Sequence, residues 1–220
     1  RLLINKVSNK NFSNIFEELV GEISSIEDTE VQMKLFNIIN ELIFNNAGTN
    51  KVLSEVYAHL YKLLVNKFNV LQSILTENFN NYVSLFNNIE YIHPNEDYDK
   101  FCDINLVNEK RRGISLFICN LLKNDMLKAD DIIHIVFQLQ NLLFTNIEKD
   151  GFVEQNSEIG ENLFILITNS SVVLKKHTEW ESIINNVDMI KKMKAKEKPS
   201  LSNKIIFKHM DIMDHYNKTV

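Results

Sequence analysis

Residues able to do chemistry are few and scattered in this sequence. Asp211 and His215 stand four apart, a spacing that places both on one helix face and could begin a metal site. No further ligand pattern accompanies them, so we interpret them as a solvated polar pair. Cys119 lies in the apolar stretch FICNLL without an identifiable base, which indicates a small buried hydrophobe and not a nucleophile. His134 is interpreted as a packed or capped histidine.

The motifs of common enzyme classes are absent. The sequence contains no GxxxxGK[ST] or GxGxxG phosphate-binding run, no HExxH, no GxSxG and no kinase signature. Its five glycines are dispersed along the chain. We therefore expect no catalytic residue, no cofactor and no metal, and a protein that is not an enzyme.

Basic residues form two local features in a chain of net charge −5, which argues against a dedicated nucleic-acid-coating domain. The first is a lysine-dense helix end at 191–198, opposed only by Glu197. These lysines either sit favourably at a helix C-terminus, or contact RNA phosphates through Lys191, Lys192 and Lys194. The second is the only arginine pair, at 111–112, which predicts either a partner surface or an ion pair between helices.

The elements that must position these residues are predicted to be helices. Only two prolines and five glycines interrupt an apolar period of three and four residues. The stretch IINELIF belongs to a predicted helix over 29–46. Gly48 follows this helix, at a position where a residue in the left-handed conformation is expected to end it. The inward side chains of the helix are predicted to be Leu35, Ile38, Ile39, Leu42 and Ile43.

About ten such helices, in roughly five antiparallel pairs of about 40 residues, favour an all-α HEAT-type α-solenoid over the alternative, a compact all-α bundle. We expect a single domain over 1–220, with an irregular acidic loop at about 90–103. Residues 1–5 are predicted to be the end of one further helix.

Composition adds expectations about the source and the compartment. Two cysteines without a CxxC favour a reducing compartment, and no apolar run reaches the length of a membrane span. We expect a cytoplasmic protein without a membrane partner. The chain begins with Arg and is interpreted as a fragment of a longer protein, and its many Asn, Ile and Lys residues indicate an AT-rich genome, such as that of a protist or giant virus.

Five motifs in order resemble the middle domain of the eukaryotic translation initiation factor 4 gamma family. LLINKVSNKNF (2–12) is similar to its ILNKLTPxxF, and DTE (28–30) followed by ELIFNNA (41–47) to its DTE…DLIFEKA. LSEVYAHL (53–60) resembles FSxxYAxxC. RRGISLFICNLLKNDML (111–127) resembles RRRSLGNIxFIGELFKLKML, and SLSNKIIFKHMDIMDHYNK (200–218) resembles a helix beginning TSSRIRFMLQDVLDLR. The resemblance covers nearly the whole chain.

The resemblance implies a crescent of five HEAT-like helix pairs without catalytic activity. Such a domain docks a DEAD-box RNA helicase of the initiation factor 4A type, whose two lobes touch opposite ends of the crescent, and speeds its ATP cycle in cap-dependent translation. It also implies possible mRNA binding, and a cap-binding protein bound through regions outside 1–220. The match implies helicase contacts at Asn5, Lys6, Phe12, Phe44, Leu53, Arg112, Phe117 and Lys204.

Three alternatives to these implications stay open. Phe12 and Phe117 fall on apolar stripes and could equally be core residues. The fold also occurs in scaffolds of splicing, mRNA decay and nuclear cap binding. The chain could instead be an RNA-binding module that acts through its lysine-rich end, although its last helix has Lys204 where the family has Arg and lacks a second Arg.

Overall fold

The computed structural model describes residues 3–219, in which every regular element is helical and no strand occurs, so the all-α prediction is confirmed. Short 3-10 turns cover Ile4–Lys6, Lys51–Leu53 and Tyr82–Phe86. The α-helices are α1 Phe12–Ser24, α2 Thr29–Thr49, α3 Ser54–Lys67, α4 Val70–Asn80, α5 Tyr98–Lys123, α6 Ala129–Ile147, α7 Val153–Leu174, α8 Trp180–Lys192 and α9 Asn203–Thr219.

Carboxylate caps fix where two of the central helices begin. The Asp28 side chain accepts hydrogen bonds from the backbone N–H groups of Glu30 and Val31, at 2.8 and 3.1 Å, and so starts α2. Asp97 accepts from the N–H of Lys100 at 2.9 Å and starts α5. Both caps satisfy donors that the first turn of a helix otherwise leaves unpaired.

The helices pack in a sequential row. Helix α1 contacts α3, α3 contacts α5, α5 contacts α7, and α7 contacts α9. The remaining helices cover this row: α2 packs on α3, α4 and α5, α6 on α7, and α8 on both α6 and α9. Each helix therefore buries its apolar stripe mainly against elements that are close to it in the sequence.

Side-chain contacts show that the later members of the row run in the same direction. Arg112 of α5 meets Glu158 of α7, and Ser115, one turn later, meets Asn162. From α7 to α9, Glu161 pairs with Lys208, and Ser171 contacts His215. In each pair of helices, residues further along one helix contact residues further along the other, so α5, α7 and α9 are parallel.

Three boundary predictions were wrong. The predicted acidic loop at about 90–103 ends earlier, because the Asp97 cap already starts α5 at Tyr98. The apolar period of the sequence predicts one helix through residues 70–89, but α4 stops at Asn80 and a 3-10 turn follows. Gly48 does not terminate α2 in a left-handed conformation; it lies buried inside the helix, which continues to Thr49.

Two further predictions need correction. Ile38 was expected to point inward but is 46% exposed, because α2 carries a second apolar stripe that no helix covers completely. The end of a helix predicted over residues 1–5 is a single 3-10 turn at Ile4–Lys6, and residues 1–2 lie outside the described residues.

Candidate functional site

The described residues form an apolar groove of about 940 Å³. It lies between α2, α4, the turn Tyr82–Phe86 and α5. Its floor contains the buried side chains of Leu75, Ile118 and Leu121. Its walls expose apolar carbon to solvent at Ile38 and Leu85. A concave, largely apolar site of this size is the usual form of a binding site.

The polar part of the lining is mostly uncharged. Amides and a hydroxyl contribute through Asn40, Asn45, Asn78, Asn81 and Ser84, and the only charged lining residues in the described chain are Glu41 and Lys110. The Asn40 side chain is held from behind, because its Oδ1 accepts a hydrogen bond from the Tyr61 hydroxyl at 2.9 Å. Burial raises the pKa of Tyr61, which keeps this hydroxyl protonated as a donor.

A buried polar network fixes the far wall of the groove onto α5. The Tyr82 hydroxyl lies 2.6 Å from Ser115 Oγ, which also contacts Asn162 of α7. The Nε of Arg111, a residue only 6% exposed, donates to the carbonyl of Leu85 at 3.0 Å. Satisfied buried networks of this kind specify one arrangement of the elements that they join. The groove is therefore a built feature of the fold.

Phe44 lies in the groove lining and packs edge-on against Phe117, with ring centroids 5.0 Å apart, and against Tyr61 at 6.3 Å. Phe44 is half-buried and can touch a partner. Phe117 is 0% exposed, which favours the alternative that it is a core residue over a direct contact with a helicase. It supports Phe44 from below as a core residue.

The other predicted contact residues do not converge on this groove. Asn5 and Lys6 are exposed in the first 3-10 turn, which packs on α2, and Asn5 Oδ1 accepts from Asn46 Nδ2 at 2.9 Å. Phe12 is half-buried and stacks on His59, with centroids 5.0 Å apart.

Leu53 and Lys204 lie far apart in the row of helices. Leu53 is half-buried in the 3-10 turn before α3 and packs against the core. Lys204 is exposed in the first turn of α9. The predicted site residues are thus spread over several elements and do not form one pocket.

The two arginines have different structural roles. Arg112 forms a bidentate ion pair with Glu158 of α7 and a second pair with Glu109 at 2.7 Å. Burial disfavours its charged form, but the bonds with Glu158 outweigh this, so the pKa of Arg112 lies above its ordinary value. Arg111 is buried against the Leu85 carbonyl. Of the two readings left open, the structure contains the ion pair between helices.

The lysine-rich segment is partly neutralised. Lys191 and Lys192 both pair with Asp188. The hydrogen bond from Lys192, together with the positive charges of both lysines, holds the pKa of Asp188 below its ordinary value. The predicted lysine-dense helix end is shorter than expected, because α8 stops at Lys192. Lys194 lies in the following loop, where its backbone N–H donates to Glu197 Oε2 at 2.9 Å.

The sequence matches no protein-family model, and no curated protein matches it either. Between residues 3 and 219, no group of three or more His, Cys, Asp or Glu side chains is placed to hold a metal ion. None of the helices described here combines the length and the apolar character that crossing a membrane requires.

Sequence reasoning missed the groove itself. Ile38 and Leu85 were not among the predicted site residues, although α2 carries two apolar stripes side by side, Leu35/Ile38/Leu42 and Phe36/Ile39/Ile43. A helix with two stripes needs neighbours on two sides. That pattern in α2 was the available signal that one stripe faces something other than the core.

Proposed function

We propose that this chain is a HEAT-type α-solenoid that binds and activates a DEAD-box RNA helicase of the initiation factor 4A type. It would act in the cytoplasm as the middle domain of an initiation factor 4 gamma-like scaffold in cap-dependent mRNA recruitment. The proposal rests on the sequence resemblance and on one structural observation, which is the regular spacing of the contacts between successive helices.

From α5 onward, contacts between layers join residues a nearly constant distance apart in the chain. The separation is 46 residues for Arg112–Glu158, 47 for Ser115–Asn162 and 46 for Gln140–Asn186. Between α3 and α5 the separation is longer, at 66 residues for Ser54–Asn120. Stacked helix pairs of the HEAT and armadillo type repeat about every 40–47 residues. This spacing supports the solenoid over a compact bundle, in which contacts have no preferred separation.

A row of successive helices offers separate contact points to a partner with two lobes. Asn5 and Lys6 lie by α2 at the start of the row, and Lys204 lies on α9 at its end, and all three are exposed. A scaffold that touches both lobes in one arrangement lowers the free energy of that arrangement relative to all others. Faster ATP turnover follows when the favoured arrangement is close to the productive one.

The test is calorimetric binding to the 4A-type helicase of the same cell, together with RNA-dependent ATPase rates. Lys6→Glu and Lys204→Glu each reverse an exposed charge, and we expect each to weaken binding about tenfold and to reduce stimulation. Lys176→Glu is the matched control: it is equally exposed and follows the C-terminus of α7, whereas Lys204 lies at the N-terminus of the parallel helix α9.

The outcomes separate the candidate functions. Binding with stimulation that both variants reduce supports the scaffold. Absence of binding to any 4A-type helicase rejects the translation assignment and leaves a scaffold of RNA processing or decay. Salt-sensitive RNA binding without helicase, abolished by replacing Lys191, Lys192 and Lys194, would favour the RNA-binding module, although the pairing of two of these lysines with Asp188 argues against it.

A further inference from the structure

We propose that the groove between α2, α4 and α5 binds an amphipathic partner helix whose apolar face is followed by a cluster of Lys or Arg residues. This goes beyond the helicase scaffold, because it assigns an occupant of its own to the groove. Of the predicted helicase contacts, Phe44 also lines this groove, whereas Lys204 lies on α9. The inference rests on three features of the N-terminal half of α5. This half continues one stripe of the groove, it exposes large apolar side chains, and it lies beside a concentration of negative charge.

One stripe of α5 connects the groove to an exposed helical surface. The stripe contains Lys110, Ile114, Ile118 and Leu121, all of which line the groove. Extended toward the N-terminus at the same helical spacing, it reaches Val107 and then Asp103. From Asp103 to Leu121 the stripe is about 27 Å long at 1.5 Å per residue, which matches a docked helix of about five turns.

The N-terminal half of α5 projects beyond the core. Residues 98–110 contain no buried side chain, whereas the core of this helix begins at Arg111. Leu106 is 68% exposed and Val107 is 58% exposed, one turn from Asp103. Adjacent large apolar side chains at this exposure, continuous with an apolar groove, are typical of an interaction surface.

Negative charge is concentrated beside these apolar residues. Residues 90–103 carry five acidic side chains and one lysine, 5 − 1 = 4 net negative charges of the 5 in the whole chain. Lys100 pairs with Glu90 at 3.3 Å, and Asp97 caps α5. Asp99 and Asp103 lie one turn apart on one face and pair with no basic side chain among the described residues.

These features together select the occupant. Apolar side chains of a helix fill the groove, which is the common way in which an amphipathic helix is recognised. Basic residues one or two turns further along that helix then meet Asp103 and Asp99, which adds charge complementarity and sets the direction of binding. The Cγ of Lys110 lies close to Gly48 of α2, and a lysine can cover apolar surface with its stem while its ammonium stays in water.

The experiment measures fluorescence anisotropy with an 18-residue amphipathic Leu/Lys peptide labelled with fluorescein. We expect Ile38→Ser to weaken binding of this peptide about tenfold. We expect the same loss at low salt when Asp99→Asn is combined with Asp103→Asn. The effect of the double variant should shrink as ionic strength rises, since exposed charges are screened. A Leu/Glu peptide and a Lys/Ser peptide should each bind at least tenfold more weakly.

Two matched controls locate the site. Val172→Ser removes an aliphatic side chain on α7 that is more exposed than Ile38, and Glu17→Gln with Glu18→Gln removes two exposed charges on α1. Both should leave peptide affinity unchanged, and so should Lys204→Glu, which separates this proposal from helicase binding. Circular dichroism confirms that each variant is folded.

Three results would overturn the proposal. The first is that the Leu/Lys peptide does not bind. The second is equal affinity across all variants, which would mean attraction to net charge alone. The third is a concentration-dependent dimer in sedimentation that Ile38→Ser abolishes, which would assign the groove to a second copy of this chain.

Discussion

Gly113 of α5 faces the backbone of Gly48 of α2 so closely that a β-carbon at position 113 would lie 1.9 Å from the Gly48 carbonyl oxygen. The two helix backbones cross here in direct contact. Because the neighbour is backbone and not a flexible side chain, a larger residue can fit only if α2 moves away from α5. One turn along each helix, the same crossing places Phe44 on Phe117 and so shapes the groove.

Gly113→Ala is expected to lower the free energy of unfolding by about 3 kcal/mol, since forcing volume into a closed contact displaces packed elements. Urea unfolding followed by circular dichroism measures this. Gly21→Ala is the control: no atom lies within 4 Å of its β-carbon position in α1, and alanine there should raise stability by about 0.5–1 kcal/mol. An unchanged stability for Gly113→Ala would mean that α2 is free to shift.

Arg112→Met is expected to cost about 3 kcal/mol of stability, because it leaves the Glu158 carboxylate, whose side chain is 5% exposed, buried without its partner. Arg112→Met combined with Glu158→Leu should recover most of this loss, since neither charge is then buried alone. A double-mutant cycle in urea provides the coupling energy.

The exposed pair Lys34–Glu30 on α2 is the comparison for this cycle. Its side chains are 69% and 78% exposed, and Lys34→Met should change stability by less than about 0.5 kcal/mol. Equal effects at Arg112 and Lys34 would contradict a structural role for the pair between α5 and α7.

Acid should destabilise the protein through His209. Burial lowers its pKa from 6.5 to about 4, while the hydrogen bond to the Ile205 carbonyl opposes that shift. The unfolded chain therefore takes up the proton first, so stability is complete above pH 6.5 and is lost as the pH falls toward 4. The loss amounts to about 3 kcal/mol.

His209→Gln removes this titration and should flatten the dependence of unfolding free energy on pH between 6.5 and 4. His134→Gln, at an exposed position on α6, should keep the dependence of the unchanged protein. If His209→Gln retained the same slope, the acid sensitivity would belong to other groups.

Thiol labelling should distinguish the two cysteines. Burial raises the pKa of Cys119 to about 11, and its sulfur lies between α5 and the carbonyls of Ile165 and Leu166. Cys102 is half-buried on the projecting half of α5. Ellman's reagent should titrate one thiol in the folded protein and two in denaturant. Cys102→Ser should abolish the reaction in the folded protein. Rapid labelling of Cys119 in the folded state would show that α5 separates from α7.

Most helices could be predicted because their burial is local. The stripe Ile15, Leu19 and Ile23 is an ordinary amphipathic pattern, and the structure buries all three. Helix ends were predicted less well where a polar cap decided them. Asp97 starts α5 inside a stretch whose composition predicts an irregular acidic loop. The hydrogen bond from the Lys100 N–H to its side chain stabilises the first turn of the helix there.

Side-chain exposure could not be predicted where two helices compete for one residue. Phe44 and Phe117 are both aromatic residues for which helicase contact was expected, yet one lines a groove and the other is completely buried. The difference depends on the glycine crossing of α2 and α5, which involves residues 65 positions apart (113 − 48). No local pattern carries that information.

The parallel course of α5, α7 and α9 has an electrostatic consequence. Contacts of Ser54 with Asn120 and of Lys62 with Asp125 add α3 to the same direction. The peptide dipoles of these helices point the same way, and charged side chains at the helix ends are placed to complement them. The first turns of α3, α5 and α7 carry the acids Glu55, Asp99 and Glu154, whereas that of α9 carries Lys204. The C-terminal ends of the four helices carry the lysines Lys67, Lys123, Lys175 and Lys218.

Lysines therefore gather at the C-terminal ends of the helices in this row, and acids at the N-terminal ends of α3, α5 and α7, despite the small net charge of the chain. A partner that itself carries separated charges is turned by this field while it is still beyond contact distance. Orientation during approach is thus built into the direction of the helices, before any groove or side chain is touched.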